Sequence, residues 1–143
     1  MKPTPKGWPR ISSAIFYDDA RAAIDWLCRA FGFEVKIKVE GEDGSILHSE
    51  LVFGEGLIMV GAVAKDKGRG SPRSLGGANT QSLMMYVDDA KAHCERARAA
   101  GAKIRKEPTV VDYGEDYWSD LSYEAEDVEG HRWWITQRVR DTK

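Results

Sequence analysis

The sequence predicts an α+β fold made of two tandem β-α-β-β-β units, and three observations lead to this prediction. The segment 17–22 is similar in sequence to the segment 87–92, which starts 70 residues later. Each copy follows a strand-like apolar run and precedes a helix-like segment that ends at a glycine. Alternating apolar and polar residues then follow, and such alternation is typical of half-buried strands.

The first unit is predicted over residues 9–63. Asp18 or Asp19 should cap its helix, because a carboxylate at this position accepts the unpaired N–H groups of the first turn. Apolar residues recur at helical spacing over 20–31, and Gly32 suits the left-handed conformation that commonly ends a helix. The strands of this unit are predicted at 11–16, 35–39, 47–53 and 57–62.

The second unit is predicted over residues 81–139, with an alanine-rich helix that should end at Gly101. Between the units, residues 64–80 are rich in Gly, Ser, Lys and Arg and predict a flexible connection. Neither unit is large enough to close a core alone, so we expect one domain over residues 1–143. The strands of the second unit are predicted at 82–87, from 103 onward, at 118–126 and at 131–138.

Composition limits the possible classes of function. The 143 residues carry a net charge of −2, whereas a general nucleic-acid-binding protein normally has a basic excess. No apolar run approaches the roughly 20 residues of a membrane helix, and residues 1–10 lack the apolar stretch of a secretory signal. Cys28 and Cys94 favour two reduced thiols over a lone disulfide or a zinc site. We therefore expect a cytoplasmic protein that binds neither nucleic acid nor a membrane.

Several segments together carry a resemblance to a known family. They are Tyr17-Asp18-Asp19-Ala20 through Ala30-Phe31-Gly32-Phe33, His48-Ser49-Glu50-Leu51, Tyr86-Val87-Asp88-Asp89-Ala90 through Ala99-Ala100-Gly101-Ala102, and Asp127-Val128-Glu129-Gly130-His131. With them, the chain resembles the vicinal oxygen chelate superfamily, also called the glyoxalase/bleomycin-resistance/dioxygenase superfamily, over about residues 9–139. The resemblance implies curved mixed sheets around a cleft, usually in a homodimer, with a small-molecule ligand as the partner.

Many members of that superfamily hold a divalent metal with His or Glu on the first and last strand of each repeat. By resemblance, these positions fall on Ser12, on Met59 or Val60, on Ser82 and on Trp134. Hydroxyl and thioether groups are poor ligands for such metals, and indole is not a ligand. We therefore expect no metal and no cofactor, as in the branches of the superfamily that sequester drugs.

Three residues could carry acid–base or metal chemistry. His48 and Glu50 are two apart on a predicted strand, so they share one face, while Leu47, Leu51 and Phe53 should pack on the helices. The pair could be an acid–base pair or a relocated metal site with His131 as a third ligand. It could equally be a hydrogen-bonded pair or a dimer contact, and His131 could simply cap a turn.

Aromatic residues concentrate in the second unit. Because neighbours on a strand point to opposite faces, one of Trp133 and Trp134 should face the helix side, and the resemblance makes Trp134 the cleft residue. With Trp118 and Tyr113 it could form a wall that binds flat or cationic compounds, or these rings could belong to the core and a dimer interface. The aromatic residues between 113 and 134 are Tyr113, Tyr117, Trp118, Tyr123, Trp133 and Trp134, and the acidic residues near them are Asp112, Glu115, Asp116 and Asp120.

Three hypotheses follow from these observations. The first is a metal-independent homodimeric protein that binds an aromatic or cationic compound, with drug sequestration as one use of such binding. The second is a lyase, isomerase or dioxygenase that uses His48 and Glu50. The third is a protein–protein interaction module without a small ligand. In the first hypothesis the ligand-binding residues are Trp134, Trp118, Tyr113, Met59, Ser12 and Ser82.

Overall fold

Eight strands and two helices follow one another in the order that the sequence repeat predicts. A computed structural model describes residues 1–142, and Lys143, the last residue of the predicted domain, lies outside the described residues. The chain divides into two compact units between Gly76 and Gly77, each with one helix and one four-stranded sheet. The predicted α+β fold with two tandem repeats is therefore confirmed.

The first unit contains four strands and one α-helix. Its sheet has the order β1-β4-β3-β2, in which β1 pairs in parallel with β4 and the other neighbours are antiparallel. The long crossover that a parallel pair requires is supplied by α1 and the following two strands. The bounds are β1 Ser13–Tyr17, α1 Ala20–Phe31, β2 Glu34–Glu40, β3 Ile46–Phe53 and β4 Gly56–Ala62.

The second unit repeats this topology. Its sheet has the order β5-β8-β7-β6, and β5 again pairs in parallel with the last strand. The bounds are β5 Ser82–Tyr86, α2 Ala90–Ala99, β6 Lys103–Asp112, β7 Ser119–Glu126 and β8 Arg132–Arg140. Within residues 1–142, no helix is long and apolar enough to cross a bilayer.

Aspartates cap both helices. The Ala22 N–H donates to Asp19 Oδ1 at 3.0 Å, and the Ala92 N–H donates to Asp89 Oδ1 at 3.0 Å, so each carboxylate satisfies one unpaired donor of a first turn. Of the two candidates for the first cap, Asp19 is therefore the capping residue. Gly32 ends α1 at φ 86°, a left-handed conformation that glycine adopts without steric cost.

Asp18 instead contacts the segment that precedes the boundary between the units. It accepts hydrogen bonds from Ser74 Oγ and from Arg73 Nε, and the Ser74 hydroxyl is the main reason why the pKa of Asp18 is lowered. Ser71 and Pro72 are buried, and 3₁₀ turns occupy Lys65–Lys67 and Pro72–Ser74. The connecting segment is thus partly built into the first unit.

Each sheet has one covered face and one open face. The covered face packs against the helix and carries large buried side chains. The opposite face of each sheet is called its open face. Because paired residues in a ladder point to the same side, the register assigns every strand residue to one face. The covered residues include Ile15, Tyr17, Leu51, Ile58 and Val60 in the first unit and Met85, Tyr123, Ala125, Trp133 and Ile135 in the second.

Leu47 departs from the expected alternation. It was expected to pack on the helices with Leu51 and Phe53, but it is 66% exposed, whereas Ile46 is buried. The cause is a bulge, since the register shifts between the Val39–His48 pair and the Glu40–Ile46 pair. The expectation was correct for Leu51, which is fully buried.

Candidate functional site

The most prominent feature of the second unit is an exposed aromatic and thioether surface on its open face. Met84 stands opposite Trp134 across the β5–β8 pair, and Trp134 stands opposite Glu124 across the β7–β8 pair. Trp134 is 39% exposed, while its neighbour Trp133 is only 2% exposed on the covered face. The sequence prediction that the two indoles point to opposite faces therefore agrees with the structure.

Arg138, four residues after Trp134 on β8, contacts two aromatic rings. Its guanidinium carbon is 5.4 Å from the centroid of the Tyr86 ring and 5.0 Å from that of the Trp118 ring. Its Nη2 donates to the Tyr86 hydroxyl at 2.7 Å, and its Nη1 donates to Asp141 Oδ1 at 3.1 Å. Arg138 thus contacts the Trp118 indole by a cation–π interaction and Tyr86 by both a cation–π interaction and a hydrogen bond.

Asp120 holds the guanidinium and the Trp118 indole together. Its Oδ1 accepts from Arg138 Nε at 2.6 Å, and its Oδ2 accepts from Trp118 Nε1 at 3.1 Å. The carboxylate is buried, and its hydrogen bond raises the pKa of Arg138 above its ordinary value. Because each carboxylate oxygen of Asp120 accepts a hydrogen bond, Asp120 fixes the position of the Trp118 indole relative to Arg138.

Two tyrosines extend the surface at the β6–β7 turn. The Tyr113 ring centroid is 5.5 Å from that of Trp118, and the Tyr117 centroid is 6.0 Å away. Both tyrosines are exposed, and the Tyr113 N–H donates to the Trp118 carbonyl at 2.9 Å. The structure thus brings together Trp118 and Tyr113, two of the predicted ligand-binding residues.

Two of the six clustered rings belong to the core instead. Trp133 and Tyr123 are buried on the covered face, and the Tyr123 hydroxyl lies 2.6 Å from His93 Nδ1. Burial raises the pKa of Tyr123 above its ordinary value. Two of the six rings are therefore part of the core, and the other four are at least partly exposed.

The open face of the first unit carries a buried carboxylate. Glu50 stands opposite Met59 on β4 and opposite Ile37 on β2, and it is only 9% exposed. Its Oε1 lies 3.2 Å from His48 Nε2, so the two residues share a face as the sequence predicts. Its Oε2 accepts from the indole Nε1 of Trp8 at 2.9 Å.

Trp8 was not identified from the sequence, because its partner lies 42 residues away. The available signal was an aromatic residue within an otherwise polar N-terminal segment, next to Gly7 and Pro9. Only the folded chain brings that segment onto β3.

The remaining candidates lie at the ends of strands. Ser12 precedes β1, and Ser82 is the first residue of β5, opposite Arg132. His131 lies in the β7–β8 turn, where its N–H donates to Asp127 Oδ1 at 3.0 Å and its carbonyl accepts from the Asp127 N–H at 2.9 Å. Its backbone thus contributes to the turn, as one of the two interpretations of His131 expects.

The donor set at the positions implied for a metal does not fit a divalent cation. Ser12 and Ser82 offer hydroxyl groups, Met59 a thioether and Trp134 an indole, and none of these is a carboxylate or imidazole. Among residues 1–142, no group of three or more His, Cys, Asp or Glu side chains is arranged to hold a metal ion. His48 and Glu50 supply two potential ligands, fewer than the three or four that protein sites usually provide.

Comparisons with known proteins agree with the fold. A family model described as the Glyoxalase/Bleomycin resistance protein/Dioxygenase superfamily matches residues 10–135. A protein of Mycobacterium bovis, described as uncharacterized, is 33% identical over 137 residues, which cover 93% of this chain and 86% of that protein. TioX from Micromonospora sp. ML1 superposes with a TM-score of 0.71 at 28% identity, over 92% of this chain and 99% of TioX. TnmS3, an antibiotic binding protein from Streptomyces sp. CB03234, shares the fold with a TM-score of 0.63 at 15% identity, over 89% of this chain and 93% of TnmS3.

Replacing Asp120 with alanine should lower the free energy of unfolding by about 2 kcal/mol, because it removes the acceptor of both the Arg138 guanidinium and the Trp118 indole N–H. Urea denaturation measures this loss. Asp141→Ala is the matched control, since Asp141 contacts the same arginine, Arg138, but is exposed to solvent, which screens the pair. A loss for Asp141→Ala as large as that for Asp120→Ala would contradict the role of Asp120 in holding Trp118.

Proposed function

The chain belongs to the glyoxalase/bleomycin resistance protein/dioxygenase superfamily, and on that premise we propose that it is a metal-independent small-molecule-binding protein. The observation that carries the proposal is the exposed aromatic and thioether surface on the second open face. This surface includes Trp134 at a position where the resemblance expects a metal-binding carboxylate. A side chain that cannot bind a metal but offers a large flat surface favours binding over metal-assisted chemistry.

The ligand that fits this surface is a flat aromatic compound. Trp134 and Met84 stand side by side on the open face, and both an indole and a thioether make favourable contacts with aromatic rings. Trp118 and Tyr86 are held in place by Arg138, so little conformational freedom would be lost when a ligand packs against them. Tyr113 extends the same aromatic surface.

A positive charge on the ligand would be an additional advantage. Glu124 is exposed and stands directly opposite Trp134, so it can place a carboxylate beside a cation that packs on the indole. Two cations on this face already have acidic partners: Arg138 is paired with Asp120 and Asp141, and Arg132 is paired with Glu126. Lys106 stands opposite Glu124 on β6, so a cationic ligand would compete with Lys106 for this carboxylate.

Sequestration of a drug is one use of such binding, since a protein that holds a compound lowers its free concentration without chemical change. TnmS3, described as an antibiotic binding protein, shares the fold, and the fold is thus compatible with this use. Met59, Ser12 and Ser82 remain proposed ligand contacts, and binding in the cleft of a homodimer remains part of the proposal.

Tryptophan fluorescence should be quenched by at least one member of a panel of acridines, phenazines and naphthalenes, tested with and without a permanent positive charge. Trp134→Ala should weaken binding of the best compound by about tenfold or more, because the largest exposed ring of the surface is removed. Val139→Ala, an exposed apolar residue on the same strand, is the control and should bind as tightly as the wild type. Unchanged affinity in Trp134→Ala, or no quenching by any compound, would refute the proposal.

A second candidate function is favoured by the contact between His48 and Glu50. A carboxylate beside an imidazole can take up and deliver a proton, so the pair could serve a lyase, isomerase or dioxygenase of the same superfamily. In the described structure the carboxylate is occupied by Trp8, which must move before a substrate could reach it.

Metal content separates the two candidates. The purified protein should hold far less than one divalent ion per chain. Dialysis against EDTA should leave the affinity for the best compound unchanged, because the proposed binding surface consists of aromatic rings and a thioether and needs no metal. Elemental analysis and a repeated fluorescence titration measure these quantities. A stoichiometric metal that is lost in His48→Ala would favour the enzyme and contradict metal independence.

A further inference from the structure

The N-terminal segment places an indole on the carboxylate of the first open face. Residues 5–8 form a turn in which the Trp8 N–H donates to the Pro5 carbonyl at 3.0 Å, and Gly7 has φ 89°, which favours glycine at this point of the turn. The turn directs the Trp8 indole N–H to Glu50 Oε2 at 2.9 Å. Residues 5–8 are called the N-terminal strap below.

Lys36 on β2 holds the strap from the other side. Its Nζ lies 4.0 Å from the centroid of the Trp8 ring, and it also donates to the Gly7 carbonyl at 3.2 Å. The indole therefore has a cation over its face and a carboxylate at its N–H. This arrangement has the parts of a recognition site for a flat, electron-rich ring with one hydrogen-bond donor.

The strap is separate from the core of the unit. None of residues 1–12 is buried, and the hydrogen bonds that hold the strap are exposed or only partly buried. Segments held by a few exposed contacts open at a much lower cost in free energy than core elements do. The indole can therefore leave Glu50 without unfolding the sheet.

The repeat provides an internal comparison. Glu50 stands opposite Met59 on the last strand of the first unit, and Glu124 stands opposite Trp134 on the last strand of the second. Glu124 is exposed, whereas Glu50 is buried and accepts from Trp8. The two sheets thus carry equivalent carboxylates, and the first of them is covered by part of the chain itself.

We propose that Glu50 accepts a hydrogen bond from the ligand, and that Trp8 makes the same hydrogen bond when the ligand is not bound. The ligand class is a flat heteroaromatic compound with a ring N–H, which donates to Glu50 and lies under Lys36 after the strap has moved away. This inference rests on the proposed binding of a flat aromatic compound and adds a second contact region with a defined hydrogen-bond requirement. The strap competes with the ligand, so the apparent affinity is reduced by the fraction of molecules in which the strap is closed.

Indole and benzofuran are suitable probes, because they have nearly the same shape and only indole has an N–H donor. NMR titration should show that Trp8→Ala binds indole about tenfold more tightly than the wild type does, since the competing strap indole is gone. Trp8→Ala should also prefer indole to benzofuran by about tenfold. In the double variant Trp8→Ala/Glu50→Leu this preference should disappear, because the acceptor is removed.

The control variant is Ile11→Ala, whose exposed side chain lies in the same N-terminal region and should leave both affinities unchanged. In the wild type, added indole should move the Trp8 indole N–H resonance, which is assigned from its loss in Trp8→Phe. Equal affinity of Trp8→Ala and the wild type for indole would overturn the inference. So would equal binding of the two probes by Trp8→Ala. The compound panel tests the proposed function separately: quenching there, with no Glu50-dependent preference here, leaves the proposed function standing and overturns this inference alone.

Discussion

In each unit a helix covers one face of a four-stranded sheet, and the alternation of strand side chains then sends every second residue to the uncovered face. The covered face needs apolar residues for stability, so it constrains Met85, Trp133 and their partners. The open face does not need apolar residues for the stability of the unit. Packing within the unit therefore does not explain why apolar residues such as Met84 and Trp134 are exposed on the open face.

Polar residues on the two open faces have different tasks. On the second, Asp120 and Arg138 neutralise each other and hold two rings in place, so they shape the surface more than they charge it. On the first, Glu50 lies one strand away from Met59, where the resemblance expects a metal ligand. This carboxylate accepts a hydrogen bond from the Trp8 indole and contacts the His48 imidazole.

The fold could be predicted because its signals are local. The repeat, the capping aspartates and the glycine after α1 each act within a few residues, and the alternation of Trp133 and Trp134 follows from strand geometry alone. The bulge that exposes Leu47 depends on how β2 and β3 pair, which no local pattern specifies. The contacts of Trp8 with Glu50 and of Arg138 with Tyr86 join residues 42 and 52 positions apart, so sequence proximity gave no sign of them.

The methyl groups of Met84 and Met85 test most directly whether the second open face binds the ligand. These neighbours point to opposite faces, with Met84 50% exposed on the open face and Met85 8% exposed under the helix. With ¹³C-methyl-labelled methionine and a saturating quenching compound, the account predicts a ring-current shift of the Met84 methyl resonance and no shift for Met85. A shift of Met85 with Met84 unmoved, or no shift of either at saturation, would contradict the account.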